Sequence, residues 1–190
     1  MERLHLAELG AEQIRQVYST WMIRDFADDE RKPLDRIVRA LKRGEYRCIG
    51  LFTKEQICIG YAFLVMLKSA YLLDYFAIDV PHRDKGFGSA FLRMLVPELS
   101  GAKMLLIETE DPAHAASDAE RIQRERRIRF YENAGCMATG VSANIYGVGY
   151  LLWELPLRGT HTADAVRDAY AALYHIILPD EFYKKWVVIR

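Results

Sequence analysis

Residues 83–89 read Arg-Asp-Lys-Gly-Phe-Gly-Ser, behind the apolar run 71–80 and ahead of a segment with helical spacing. A strand that feeds through such a turn into a helix aims several main-chain N–H groups at one point. The helix N-terminus adds positive potential there, so the chemistry that suits the element is phosphate binding. Gly86 and Gly88 carry no Cβ to hold a ligand away and accept positive φ, while Arg83 and Lys85 add charge at the rim. Taken alone, the turn is equally well a tight strand-to-helix connection in which glycine answers only to geometry. A Walker loop is excluded, because Lys85 precedes the glycine it should follow. A dinucleotide fingerprint is disfavoured: its third glycine falls on Phe91, and a hairpin and two helices come before the turn.

Proton transfer calls for carboxylates, and three stand in strand-like surroundings. Alternation puts Glu108 and Glu110 on one face of the run 102–110, with Ile107 and Thr109 on the other. Asp74, inside the apolar run, is in phase with Phe76 and Ile78. A lone acid in such a strand needs a partner or a perturbed pKa, so it is either functional or specifically paired. Arg121, Arg124, Arg126, Arg127 and Arg129 alternate with Glu120, Glu125 and Glu132, which reads as a solvated helix laced by i,i+4 pairs. The alternative is that one or two of these arginines reach a phosphate or an acidic substrate. His82 and His114 have no spaced partners, and Cys48, Cys58 and Cys136 make no CxxC, so no metal site is expected.

The elements that must hold these groups follow from hydrophobic period. Residues 3–9 alternate as a first strand. Residues 10–26 place Ile14, Val17, Tyr18 and Trp21 at helical spacing, and 32–46 repeat the pattern with Leu34, Ile37, Val38 and Leu41 before Gly44. Tyr18, Trp21 and Phe26 either line a groove or pack in the core. A hairpin follows, 46–52 and 57–67 around the polar break Thr53-Lys54-Glu55-Gln56, and then the strand 71–80. After the glycine turn come helix 89–99, strand 102–110, a loop, helix 120–135 stopped by Gly135, and strands 137–142 and 147–157. This order predicts an α/β fold with a mixed, mostly antiparallel central sheet flanked by helices. Residues 158–190 add a helix with Val166, Tyr170, Leu173, Tyr174 and Ile177 on one face, then a short edge strand. That extension is expected to pack on the domain of residues 1–157, with a lid or a dimer arm as the alternatives.

The chain has 190 residues, with Lys plus Arg at 26 and Asp plus Glu at 26. That balance argues against a general polyanion binder, so no nucleic-acid partner is expected and any anion site must be local. Unpaired cysteines and the lack of an apolar leader or spanning run point to a cytoplasmic protein without a membrane partner.

The whole string Phe76-Ala-Ile-Asp-Val-Pro-His-Arg83-Asp-Lys-Gly86-Phe-Gly88-Ser-Ala-Phe-Leu92 resembles the acetyl-CoA-binding motif of the GNAT acyltransferase superfamily, Arg/Gln-x-x-Gly-x-Gly/Ala. A second block, residues 126–136, is similar to the family's helix ending Phe/Leu-Tyr-Glu-x-x-Gly. The element order matches too, over roughly residues 3–157. The resemblance implies that Arg83, Asp84, Lys85, Gly86, Phe87, Gly88 and Ser89 cradle the diphosphate of acetyl-CoA, mostly through main chain. Phe76, Ala77 and Ile78 would pair with the pantetheine arm as an added strand.

It implies further that Tyr131, at the motif's tyrosine, protonates the departing thiolate; by spacing alone it is as readily a core aromatic beside Phe130. Ile107-Glu108-Thr109 resembles the strand that supplies a catalytic glutamate in bacterial ribosomal-protein N-terminal acetyltransferases, making Glu108 the candidate base. The segment from that strand to the Tyr131 helix is longer here, and no Asn follows the strand. Glu108 paired with an arginine of the next helix, and Asp74 as base instead, are the alternatives. The implied activity is direct transfer from acetyl-CoA to a primary amine, small molecule or protein, with both a monomer and a homodimer open. The competing expectation is an acyl-CoA-binding regulatory module without chemistry.

Overall fold

The stretches of period two become strands and those of period 3.6 become helices, with few shifts at their ends. The computed structural model describes residues 3–28, 30–99 and 101–190. The chain divides into two units: one runs to Met66 and resumes at Asp74–Pro97, and the other holds Leu67–Leu73 and Glu98–Arg190.

In the first unit, β1 (His5–Glu8), β2 (Tyr46–Phe52) and β3 (Cys58–Met66) pair antiparallel, with His5 opposite Phe52 and Tyr46 opposite Val65. Next to β3 lies β4 (Ala70–Ile78). Its residues from Asp74 on belong to this unit and form the edge of the unit's sheet. The first helix begins as α1 (Ala11–Gln16), widens into a π-helical stretch (Val17–Met22) and ends as α2 (Ile23–Asp25). The wide turn adds a residue per turn, so Met22 is buried where regular spacing predicts Trp21. Then α3 (Leu34–Lys42) buries Ile37 and Ala40, and Gly44 at φ +70° turns the chain into β2. Beyond β4, α4 (Phe87–Glu98) buries Phe91, Leu92 and Leu95.

In the second unit the opening residues of β4 run parallel to β5 (Met104–Glu110), from Ala70 opposite Met104 to Leu73 opposite Ile107. The order continues through β7 (Val148–Pro156) and β6 (Met137–Ile145) to β8 (Val187–Ile189), all antiparallel. The eight strands thus form the mixed, mostly antiparallel sheet expected from the sequence. Helix α5 (Asp118–Asn133) starts on Ser117, whose hydroxyl accepts from the Glu120 N–H, and stops at Gly135 with φ +92°.

Residues 158–190 belong to the second unit. Here α6 (Ala163–Ile177) buries Val166, Tyr170, Leu173 and Tyr174 and packs on β6, and α7 (Asp180–Trp186) leads into β8 at that sheet's edge. Among the described residues no helix is long and apolar enough to cross a membrane.

Candidate functional site

The glycine turn, residues 83–89, lies wholly in the first unit. Where β4 ends, the Asp79 carboxylate caps a short 3₁₀ turn (Val80–His82) by accepting from the Val80 N–H at 2.9 Å. Asp84 (φ +60°) and Gly86 (φ +80°) are both left-handed, and α4 starts at Phe87. Successive left- and right-handed residues turn neighbouring N–H groups inward, which is how a main-chain anion nest is built. A side chain at Gly86 would meet nothing within 4 Å, so its glycine serves conformation and leaves the space above open. Gly88 is the second residue of α4, helical rather than left-handed. Of the two glycines able to take positive φ, only Gly86 uses it; the other left-handed position is Asp84, a residue type that tolerates this region better than most.

The two rim cations are engaged by the protein itself. Lys85 Nζ donates to the Pro81 carbonyl at 2.7 Å. Arg83 Nε donates to the Ile78 carbonyl at 2.8 Å, and its Nη2 reaches Asp25 Oδ1 at 2.6 Å. The Asp25 side chain, 5 % exposed, also accepts from Arg24 and from the Tyr61 hydroxyl at 3.2 Å, and Arg24 in turn reaches Asp79 at 2.9 Å. Burial and the Asp25 charge hold the Tyr61 phenol far above its ordinary range, so it remains a donor.

Along the edge segment, the Phe76 ring sits 5.3 Å from that of Phe91. Ala77 and Ile78 press on Gly60 of β3, where a Cβ would lie 2.7 Å from Ile78 Cδ1 and 3.0 Å from the Ala77 carbonyl oxygen.

Asp74 is specifically paired. Lys32 Nζ donates to its Oδ1 at 2.6 Å and the Tyr46 hydroxyl to its Oδ2. Tyr75, the next residue, also serves Lys32, accepting from its backbone N–H at 2.8 Å. Strict alternation sends adjacent strand residues to opposite faces. Lys32 spans the pair, giving its ammonium to Asp74 and its main-chain N–H to Tyr75. Of the aromatic residues in the first helix, Trp21 faces Tyr61, Phe26 meets Tyr75 edge-on at 5.0 Å, and Tyr18 donates to the Lys32 carbonyl at 2.9 Å.

In the second unit Glu108, on β5, accepts from the hydroxyls of Tyr170 and Tyr174, the latter at 2.5 Å. These tyrosines stand one turn apart on α6, so both hydroxyls reach the same oxygen. Burial first, then the Glu108 charge, pushes both phenols well above their ordinary value. Two of the helix arginines serve the other carboxylate of this strand. Arg124, buried, reaches Glu110 at 3.2 Å as well as Glu120 and the Asp111 carbonyl, and Arg127 reaches Glu110 at 3.4 Å. Tyr131 lies on α5 with its side chain buried, its ring edge-on to Phe130 at 5.1 Å. Burial drives its phenol far upward, against a smaller opposing pull from Arg127.

Sequence reasoning missed Asp25, Lys32, Tyr46, Tyr170 and Tyr174. Only the last pair left a signal: two tyrosines at i,i+4 on a face otherwise filled by aliphatic residues. Among the described residues no group of three or more His, Cys, Asp or Glu side chains is placed to hold a metal ion.

No protein-family model and no curated protein matches the chain. Solved structures do. The ribosomal-protein-S18-alanine N-acetyltransferase of Escherichia coli superposes with a TM-score of 0.59 at 20% identity, over 84% of this chain and 97% of that one. Spermidine N-acetyltransferase of Vibrio cholerae, solved with CoA and spermine, gives a TM-score of 0.60 at 11% identity over 81% and 95%. A GNAT family acetyltransferase of Elizabethkingia anophelis with acetyl-CoA bound gives 0.61 at 13% over 82% and 99%. The fold of this chain is therefore that of the GNAT acetyltransferases.

Proposed function

We propose that the chain is an N-acetyltransferase that moves the acetyl group of acetyl-CoA directly to a primary amine. One observation carries this reading: an edge strand, Asp74–Ile78, runs into a turn with left-handed Asp84 and Gly86 at the start of α4. Such a turn suits a diphosphate, and such an edge suits an amide-bearing arm that pairs as an added strand. Acetyl-CoA carries both groups. In this reading Arg83, Asp84, Lys85, Gly86, Phe87, Gly88 and Ser89 hold the diphosphate through main-chain N–H groups, and Phe76, Ala77 and Ile78 hold the arm. The fold shared with acetyltransferases solved with CoA or acetyl-CoA supports it.

Transfer to an amine needs a neutral amine, a stabilised oxyanion and a proton for the leaving thiolate. Tyr131 is the proposed acid because it stands at the tyrosine of the resembling motif, and burial keeps its phenol protonated. Glu108 is the proposed base, with Tyr170 and Tyr174 fixing its carboxylate. Three free cysteines fit a reducing, cytoplasmic setting.

A second reading is an acyl-CoA-binding module without chemistry. It is favoured by one observation: both candidate carboxylates are engaged by the protein's own side chains, Asp74 by Lys32 and Tyr46, Glu108 by two tyrosines. Thermal-shift measurements with acetyl-CoA, CoA, NAD and ATP test the ligand, and thiol release over a panel of primary amines tests the chemistry. Stabilisation by both CoA forms with thiol release is the expected result. Stabilisation without release on any amine favours the module, and stabilisation by NAD alone overturns both readings.

A further inference from the structure

Lys32, in the loop between α2 and α3, is held along its whole length. Its N–H donates to the Tyr75 hydroxyl, which donates in turn to the Glu30 carbonyl at 2.9 Å. Its carbonyl accepts from Tyr18 at 2.9 Å. Its ammonium meets Asp74 Oδ1 at 2.6 Å and lies 5.2 Å from the centre of the Tyr75 ring. The other Asp74 oxygen is taken by Tyr46, whose phenol is kept protonated by burial and by the Asp74 charge. The Asp74 side chain is only 4 % exposed. A carboxylate with an aromatic face beside it is what a primary ammonium binds, and here the occupant is supplied by the chain itself.

Asp74 also opens the edge segment that ends in the phosphate turn. An acyl arm laid on that edge from the turn runs from Ile78 toward Asp74, about 13 Å at the rise of a strand. We propose that Lys32 is an intramolecular acceptor, acetylated on Nζ by the acetyl-CoA that this same molecule binds, with Asp74 as base. The proposal rests on the acyl-CoA reading above.

In the step, Asp74 takes one proton from the Lys32 ammonium. The freed nitrogen pair attacks the thioester carbonyl, an N–C bond forms and the C–S bond breaks. The second nitrogen proton goes to the departing thiolate, and Asp74 returns the first to solvent. The products are Nζ-acetyl-lysine and the free thiol of coenzyme A. Acetylation removes the charge that Asp74 pairs with, so the event occurs once per molecule.

The experiment is a time course of the purified protein with acetyl-CoA, read by peptide mass spectrometry, alongside thermal shift by acetyl-CoA on the same preparation. Lys32 should gain one acetyl group at least about a hundredfold faster than exposed Lys54 in the same molecule, the scale of a positioned base. The rate per molecule should not change with protein concentration. Lys32→Arg should abolish the event and Asp74→Asn should slow it to the Lys54 rate. Should Asp74→Asn fail to fold, the comparison of Lys32 with Lys54 in native and urea-unfolded protein decides the same question. If acetyl-CoA stabilises the protein while Lys32 reacts no faster than Lys54, self-transfer is overturned and the acyl-CoA reading stands. If the rate rises with protein concentration, the intramolecular route is overturned. If acetyl-CoA gives no stabilisation, both readings fail together.

Discussion

Arg83 and Asp25 form an ion pair at 2.6 Å that ties the last residue of α2 to the glycine turn. The remaining reach of the Arg83 guanidinium goes to the Ile78 carbonyl, at the end of the edge strand. Its charge therefore serves first to fix the turn, and in the proposed reading the diphosphate is left chiefly to main-chain N–H groups.

That division separates two substitutions. Gly86→Val forces a β-branched residue into φ +80°, at a cost of roughly 1–2 kcal/mol, and redirects the N–H groups around it. Isothermal titration should show acetyl-CoA bound at least about tenfold more weakly, which is about 1.4 kcal/mol. Arg83→Gln should weaken binding by less than Gly86→Val does. The reverse ranking would mean that the Arg83 side chain, and not the backbone, carries the diphosphate.

Gly60 offers a test of the edge strand from a position outside the residues proposed to hold the ligand. Alanine there presses on the Ile78 side chain and the Ala77 carbonyl, with Phe91 Cδ1 at 3.5 Å closing the third side. Overpacking of this kind costs about 1–3 kcal/mol and displaces the very residues proposed to pair with the arm. Urea unfolding should register the loss, and acetyl-CoA affinity should fall with it. A destabilised but fully binding Gly60→Ala protein would remove Ala77 and Ile78 from the ligand.

Tyr131→Phe deletes one hydroxyl from a buried ring and changes little else. If Tyr131 protonates the thiolate, turnover should fall by about 10²–10⁴-fold with acetyl-CoA affinity unchanged. Thiol-release kinetics beside calorimetry would decide it, and an unaltered kcat would leave Tyr131 a packing residue.

The strand–turn–helix geometry at the glycines was legible in the sequence because it is local. What the sequence hid is non-local. Asp74 in an apolar strand announced that it needed a partner, yet Lys32 is 42 residues away and Tyr46 is 28. Pairing of Glu108 with an arginine of the next helix was one alternative in the sequence, and two arginines of that helix, Arg124 and Arg127, reach Glu110. Helical period correctly buried Tyr170 and Tyr174, but period reports which face is inside and is silent about where a hydroxyl ends. The π-helical turn that exchanges Trp21 for Met22 has no signature in hydrophobic spacing at all.

The Tyr170 and Tyr174 pair makes stability depend on pH in a definite direction. Both phenols sit well above their ordinary value in the fold, because burial and the Glu108 charge disfavour the phenolate. In the unfolded chain they titrate near the ordinary phenol value of about 10. The folded state therefore holds protons that the unfolded state releases, and the stabilisation is fully present below about pH 10 and declines above it. Each tyrosine contributes a slope of up to about 1.4 kcal/mol per pH unit in that window. Replacing both by Phe removes those two contributions, so the double variant should lose stability less steeply than the parent chain as pH climbs from about 9 to 11. At neutral pH it should be the weaker protein, since each lost donor to a carboxylate costs about 1.5–3 kcal/mol. The two unfolding curves, followed by urea at each pH, should then converge as alkalinity rises. Parallel curves would mean that Glu108 is not held by these hydroxyls, and with them would go the role of α6 in fixing the proposed base.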